Sequence, residues 1–194
     1  MRKCLAVILS VLFLVSCAFS VAFALGSRIS IKSLLATNDS SEGTMKTLGK
    51  ERVFTRNGPD TDYRDTGTYN VEGGEVRVYS YAYDRSGDCW VQCDFTYKNQ
   101  LRRLYTRLEE IDEDCFDLTG VPLEEPLDYE AKVVSVSKLY YGPSDEYDDY
   151  GNSFKSKKGA IVYITAIEGD YAQVQWTTSK QSYRVWVPLK ILKY

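Results

Sequence analysis

The chain has 194 residues, 44% of them hydrophobic, with a formal charge of -3 and no histidine. That length fits one large or two small domains. The acidic balance argues against generic nucleic-acid binding, whose affinity comes largely from neutralised phosphates, and the lack of histidine excludes Ser-His and Cys-His catalysis.

Residues 1–24 read as an export signal, with basic Arg2-Lys3, an apolar run over 5–19 and small residues at Ala22-Phe23-Ala24. Cleavage there would start the mature chain at Leu25. Two other fates stay open. Leu14-Val15-Ser16-Cys17 has the form of a lipobox, which would lipidate Cys17, and the uncharged run to Leu25 is long enough for an uncleaved anchor. All three fates put the rest of the chain outside the cytoplasm, either secreted or held at the cell envelope, and confine membrane contact to the N-terminal segment. Residues 25–50 are rich in Ser, Thr, Lys and Gly and read as a flexible polar tether.

Beyond the tether the chain repeats itself. Gly58-Pro59 followed by Tyr63 returns as Gly142-Pro143 followed by Tyr147. Each copy continues with a second glycine (Gly67, Gly151), an alternating strand after Gly74 or Gly159, and a Gly-Asp turn (Gly87-Asp88, Gly169-Asp170). A Val-Gln strand comes next (Val91-Gln92, Val174-Gln175). Each copy closes on Arg103-Leu104-Tyr105 or Arg184-Val185-Trp186 before a leucine. Conserved order and spacing mark a tandem duplication. The plan is a first domain over 51–117, a linker over 118–127 containing Pro122 and Pro126, and a second domain over 128–194. The linker composition suggests that the two move independently. Short alternating runs bounded by Gly, Asn and Asp, without an amphipathic helix, make both domains all-β. Short strands in so few residues close most economically as small barrels.

Cys89 and Cys93, on one strand, lie about 13 Å apart at four times the strand rise, too far for a mutual disulfide. Either can pair with Cys115 in an oxidising compartment. Zinc lacks both a histidine and a knuckle spacing. The acidic loop from Asp145 to Gly151 lacks the alternating spacing of a calcium loop, so no metal or other cofactor is expected.

The two copies resemble bacterial Src-homology-3-type (SH3b) domains of exported proteins. The resemblance rests on Gly142-Pro143, Tyr147, Gly159 and Trp186-Val187-Pro188-Leu189 in the second copy and on Gly58-Pro59 and Tyr63 in the first, where Tyr105-Thr106-Arg107 replaces the usual Trp-Val. It implies two barrels of about five strands that bind cell-wall peptide or a surface protein. No catalysis is expected, because the carboxylate pairs fall in a linker or domain end, where solvated charge is the ordinary reading.

Flat amphipathic rings hold extended peptides at low entropic cost. The candidate contacts are therefore Tyr69, Tyr81, Tyr83 and Trp90 in the first domain, and Tyr150, Tyr171, Trp176 and Trp186 in the second. Tyr63 and Tyr147, at fixed spacing after Gly-Pro, are expected to close their loops onto the core. Arg103, Tyr105 and Arg107 share one strand face and form a candidate anion patch, although an exposed antiparallel sheet needs such a polar face anyway. The acidic Gly-Pro loops favour amines and basic segments over anions.

Overall fold

The computed structural model describes residues 43–49, 52–70, 74–111, 116–153 and 158–194, all within one compact unit, Asn38–Tyr194. The segment read as an export signal, most of the one read as a tether, and Cys115 lie outside the described residues. Among the described residues no helix is long and apolar enough to cross a membrane.

The fold is all-β, with two antiparallel sheets. The first comprises β1 (Thr44–Thr47), β2 (Arg52–Arg56), β3 (Asp65–Asn70), β4 (Glu75–Tyr83), β5 (Cys89–Tyr97) and β6 (Gln100–Arg107), in the order β1-β4-β5-β6-β2-β3. The second comprises β7 (Tyr129–Val133), β8 (Lys138–Tyr140), β9 (Asp149–Ser153), β10 (Ile161–Glu168), β11 (Tyr171–Thr177), β12 (Ser182–Pro188) and β13 (Leu192–Lys193). Its order is β13-β7-β10-β11-β12-β8-β9. The second order repeats the first, with β7 in the place of β1 and β13 added at the edge.

Strand registers make the repeat exact in detail and correct one sequence match. Gln92 opposes Tyr105, and Gln173 opposes Trp186, so the counterpart of Gln92 is Gln173 and not Gln175. Gln175 instead matches Asp94, since they oppose Arg184 and Arg103. The bulges also correspond, falling at Tyr79 in β4 and at Thr165 in β10.

Two segments expected to be loose are docked. Residues 44–47 pair with β4, and Leu48 beside them is 0% exposed within the first core, with Val53, Val78, Val91 and Leu104. Burying one leucine is worth about 2 kcal/mol, which a composition dominated by Ser, Thr and Lys conceals. Likewise the segment over 118–127 does not hang free: Val121 enters the first core. The Tyr81 amide donates to the Pro122 carbonyl at 3.0 Å, the Glu124 amide to the Tyr81 carbonyl at 2.7 Å, and the Leu127 amide to the Thr165 carbonyl at 3.1 Å. These bonds reach both sheets and fix the segment between them.

In the Gly-Pro loops each tyrosine folds back over its own glycine. A Cβ on Gly58 would lie 2.3 Å from the Tyr63 ring, and one on Gly142 2.1 Å from the Tyr147 ring. The motif needs glycine there because the ring occupies the side-chain space.

Candidate ligand cleft

An antiparallel strand with one wet face alternates between buried and exposed residues. β6 and β12 do not: Arg103 to Thr106 and Arg184 to Val187 are buried without a break. One face covers the strand's own core and the other covers the opposite lobe. The contacts are reciprocal. Arg103 lies over the Tyr147 ring at 5.3 Å, as Arg184 lies over Tyr63 at 5.4 Å. The Tyr147 hydroxyl donates to Asp94 at 2.8 Å, as Tyr63 donates to Gln175 at 2.5 Å. Leu101 bridges Tyr147 just as Ser182 bridges Tyr63.

The two junctions differ in what neutralises the arginine. Arg103 bonds Asp94 at 3.2 Å and Glu168 at 2.7 Å. The positions matching Asp94 and Glu168 on the Arg184 side are Gln175 and Ala82, neither of them charged. The missing carboxylate comes instead from the linking segment, where Glu124 pairs with Arg184 and accepts from the Tyr105 hydroxyl at 2.8 Å. Burial opposes the charge of Arg184, but Glu124 and Tyr105 outweigh it and raise its pKa.

Because Ala82 fills less space than a glutamate, the Arg184 junction opens into a cleft of about 360 Å³. Arg184, Glu124, Gln175 and Tyr63 lie at its inner end, where they join the buried network. Pro59, Tyr83 and Pro126 add apolar surface. Among the described residues four carboxylates line it, those of Asp60, Asp84, Glu124 and Asp128, against two guanidiniums, those of Arg85 and Arg184, so the cleft favours cations over anions. Burial works against the charge of Asp84, but the Trp90 indole and the amides of Asp88 and Ser86 hold its carboxyl below the usual range. Asp128 sits at φ 58°, in the left-handed region that only a few non-glycine residues occupy.

Among the sequence candidates, Tyr83 alone lines the cleft, at 58% exposed. Tyr81 is half-buried beside it, edge-on to Tyr83 at 5.9 Å, with its backbone paired to the linking segment. Trp90 is 1% exposed and donates to Asp84 at 3.0 Å, so it stiffens the cleft wall from behind. Tyr69 is buried and accepts from Arg102 at 2.7 Å. Tyr150 is buried between the lobes and accepts from Arg64 at 2.9 Å. Trp186 is buried near Arg103, at 5.9 Å. Trp176 stacks on Tyr183 at 5.1 Å, and Tyr171 meets Tyr140 edge-on at 5.8 Å, both away from the cleft.

The expected anion patch departs most from the sequence reading. Arg103 and Tyr105 are buried in the interface, and half-buried Arg107 is paired with Asp88 and Glu109, so the cationic groups are spent on carboxylates within the chain. Cys89 and Cys93 carry free thiols; Cys93 is wholly buried and Cys115 lies outside the described residues. In the acidic loop Asp148 pairs with Arg102 at 2.5 Å and Asp149 accepts from the Gly151 amide at 2.8 Å. Among the described residues no three His, Cys, Asp or Glu side chains converge as a metal site.

Sequence reasoning missed Pro59, Ala82, Arg85, Glu124, Asp128 and Arg184 as cleft residues. The signal, a mismatch between copies with Gln175 and Ala82 standing where the other copy carries Asp94 and Glu168, emerges only once the strand registers align the copies. Comparison with protein-family models, with curated proteins and with solved structures gives no match.

Proposed function

We propose that this chain is an exported, non-enzymatic binding protein of two tandem SH3b-like barrels, and that it recognises cell-wall peptide, a peptidoglycan stem or cross-bridge, in the cleft beside Arg184. The observation that carries the reading is the cleft itself. About 360 Å³ is room for a short stretch of extended peptide, and Tyr63, Tyr83, Pro59 and Pro126 give it the aromatic and proline surface on which such segments lie. The acidic lining suits a peptide carrying an amine. Docking of the lobes supports a preformed site, which avoids the ordering cost of two freely moving modules.

A second reading, a cell-surface protein-interaction or spacer module without a wall ligand, is favoured by one observation. Both Gly-Pro loops hydrogen-bond the opposite lobe through their backbones, which is what a rigid spacer requires. Co-sedimentation of the purified protein with bacterial sacculi stripped of secondary polymers, at low and moderate salt, separates the two. Wall-peptide recognition predicts pelleting that survives moderate salt, since counterion-driven attachment weakens steeply as salt rises. Protein left in the supernatant at both salts overturns the wall ligand and leaves the module reading.

A further inference from the structure

The cleft carries a cation of its own at its mouth. Arg85, in the turn between β4 and β5, reaches Asp62 at 2.8 Å and Asp60 at 3.5 Å, with its side chain 80% exposed. Two other charges around the cleft are committed more deeply. Glu124 is held by buried Arg184, and Asp84 by three N–H donors. A surface pair whose arginine is long and exposed gains little and yields readily on the arginine side. Arg85 is therefore the charge that an incoming ligand can displace at least cost. Asp128 also lines the cleft, its carboxylate without a partner among the described residues, and the exposed ring of Tyr83 offers a face to a cation.

We propose that the mouth of this cleft is a cation site in which Arg85 is a tethered stand-in for the ammonium or guanidinium group of the ligand, seated on Asp60 and Asp62 until the ligand replaces it. The proposal rests on the cleft being a peptide site and adds the charge of the group it selects. It has a sign that a merely structural arginine would not give. Removing Arg85 frees two carboxylates and deletes a like charge, so a cationic ligand binds more tightly to the variant than to the natural chain. Removing Asp62 does the reverse.

The test uses the full chain and two probes, acetyl-Ala-Ala-Lys-Ala-Ala-amide and the same peptide with the lysine Nε-acetylated. Titrations are followed by the indole N–H resonance of Trp90, which is hydrogen-bonded to the cleft residue Asp84. The expected result is that the lysyl peptide binds and the acetylated one binds more weakly. Arg85→Ala should tighten the lysyl peptide by about two- to fivefold, the range of an exposed ion pair, and leave the acetylated peptide unchanged. Asp62→Asn should weaken the lysyl peptide by a similar factor. Equal binding of the two peptides, no binding of either, or an Arg85→Ala variant with unchanged or weaker lysyl affinity overturns the cation site. The outcomes stay separate from those of the wall reading. Sacculus binding with no preference for lysine leaves the wall ligand standing and removes the cation site, whereas lysine-selective binding without sacculus binding does the opposite.

Discussion

Arg103 and Arg184 occupy the same place in the two copies and meet different fates. Arg103 is enclosed by Asp94 and Glu168, by the Tyr147 hydroxyl at 2.7 Å and by the Tyr79 ring at 3.4 Å. Arg184 has one carboxylate, borrowed from the linking segment, and neutral Gln175 at 3.2 Å. Where the lobes supply both counter-charges the arginine is a lock. Where they supply neither, the linking segment becomes part of the interface and a cleft is left open. One arginine position can thus stand in a closed ion-pair cluster or at the back of an open cleft, according to two neighbouring residues.

The sharpest way to break this comparison is to remove each arginine. Arg103→Met leaves Asp94 and Glu168 without their cation, and losing one partner of a buried pair costs about 3–5 kcal/mol. Arg184→Met strands one carboxylate, Glu124, in place of two and should cost less, about 3 kcal/mol, the low end of that range. Urea unfolding of the two variants measures both, and equal losses would show that the junctions are energetically alike. Asp94→Asn combined with Arg103→Met should recover part of the loss.

Removing hydroxyls tests the same contrast at lower cost. Tyr147 exchanges hydrogen bonds with Arg103 and Asp94, whereas Tyr63 donates one to Gln175. Tyr147→Phe should cost about 2 kcal/mol and Tyr63→Phe about 1, the values for hydrogen bonds to charged and neutral groups. Thermal unfolding at matched pH resolves the order.

Alkaline pH tests the interface as a whole. Burial pushes up the phenol of Tyr147, as Asp94 does, against the opposing effect of Arg103. Burial likewise raises Tyr63 and Tyr150, and takes Tyr141 to about 12. A phenol whose folded pKa lies above its unfolded value of about 10 contributes stability that is complete below pH 10 and lost as pH rises through the folded pKa. Stability should therefore be insensitive to these groups up to about pH 9 and fall from about pH 10. Absorbance at 295 nm should show the exposed tyrosines ionising first and the interface tyrosines only with unfolding. Tyr147→Phe should move the alkaline transition to higher pH more than Tyr63→Phe does.

The smallest effect concerns the thiols. Burial raises both, and Cys93 the more strongly because it is wholly enclosed and beside Asp94. A thiol reagent at neutral pH should label Cys89 of the native chain slowly and Cys93 only after unfolding. Fast labelling of Cys93 would show that the first sheet opens locally.

The strand alternation of β4 was legible because it is local: a period of two suffices to specify it. Tyr63 and Tyr147 were expected to close their loops onto the core; their rings cover Gly58 and Gly142, but their hydroxyls reach Gln175 and Asp94 of the opposite lobe. The interface was not legible. Arg103-Leu104-Tyr105 has the pattern of a strand with one wet face, and only a second lobe, distant in sequence, buries that face as well. The repetition of arginine followed by an aromatic in Arg184-Val185-Trp186 was visible, yet its meaning depends on reciprocal docking, which no single window of sequence encodes. Composition misled at Leu48, where one apolar residue outweighs its polar neighbours. It misled again in the segment over 118–127, whose prolines disfavour regular pairing in general but leave the carbonyl of Pro122 free to accept from Tyr81.

The reciprocal contacts have the form of a dimer of identical subunits. In such a dimer every substitution is made twice, so an alanine facing one arginine would face both. Joining the halves in one chain lifts that restriction. The difference between Ala82 and Glu168 is one that a pair of identical subunits cannot hold, and it makes one half of the interface a closed ion-pair cluster and the other an open cleft.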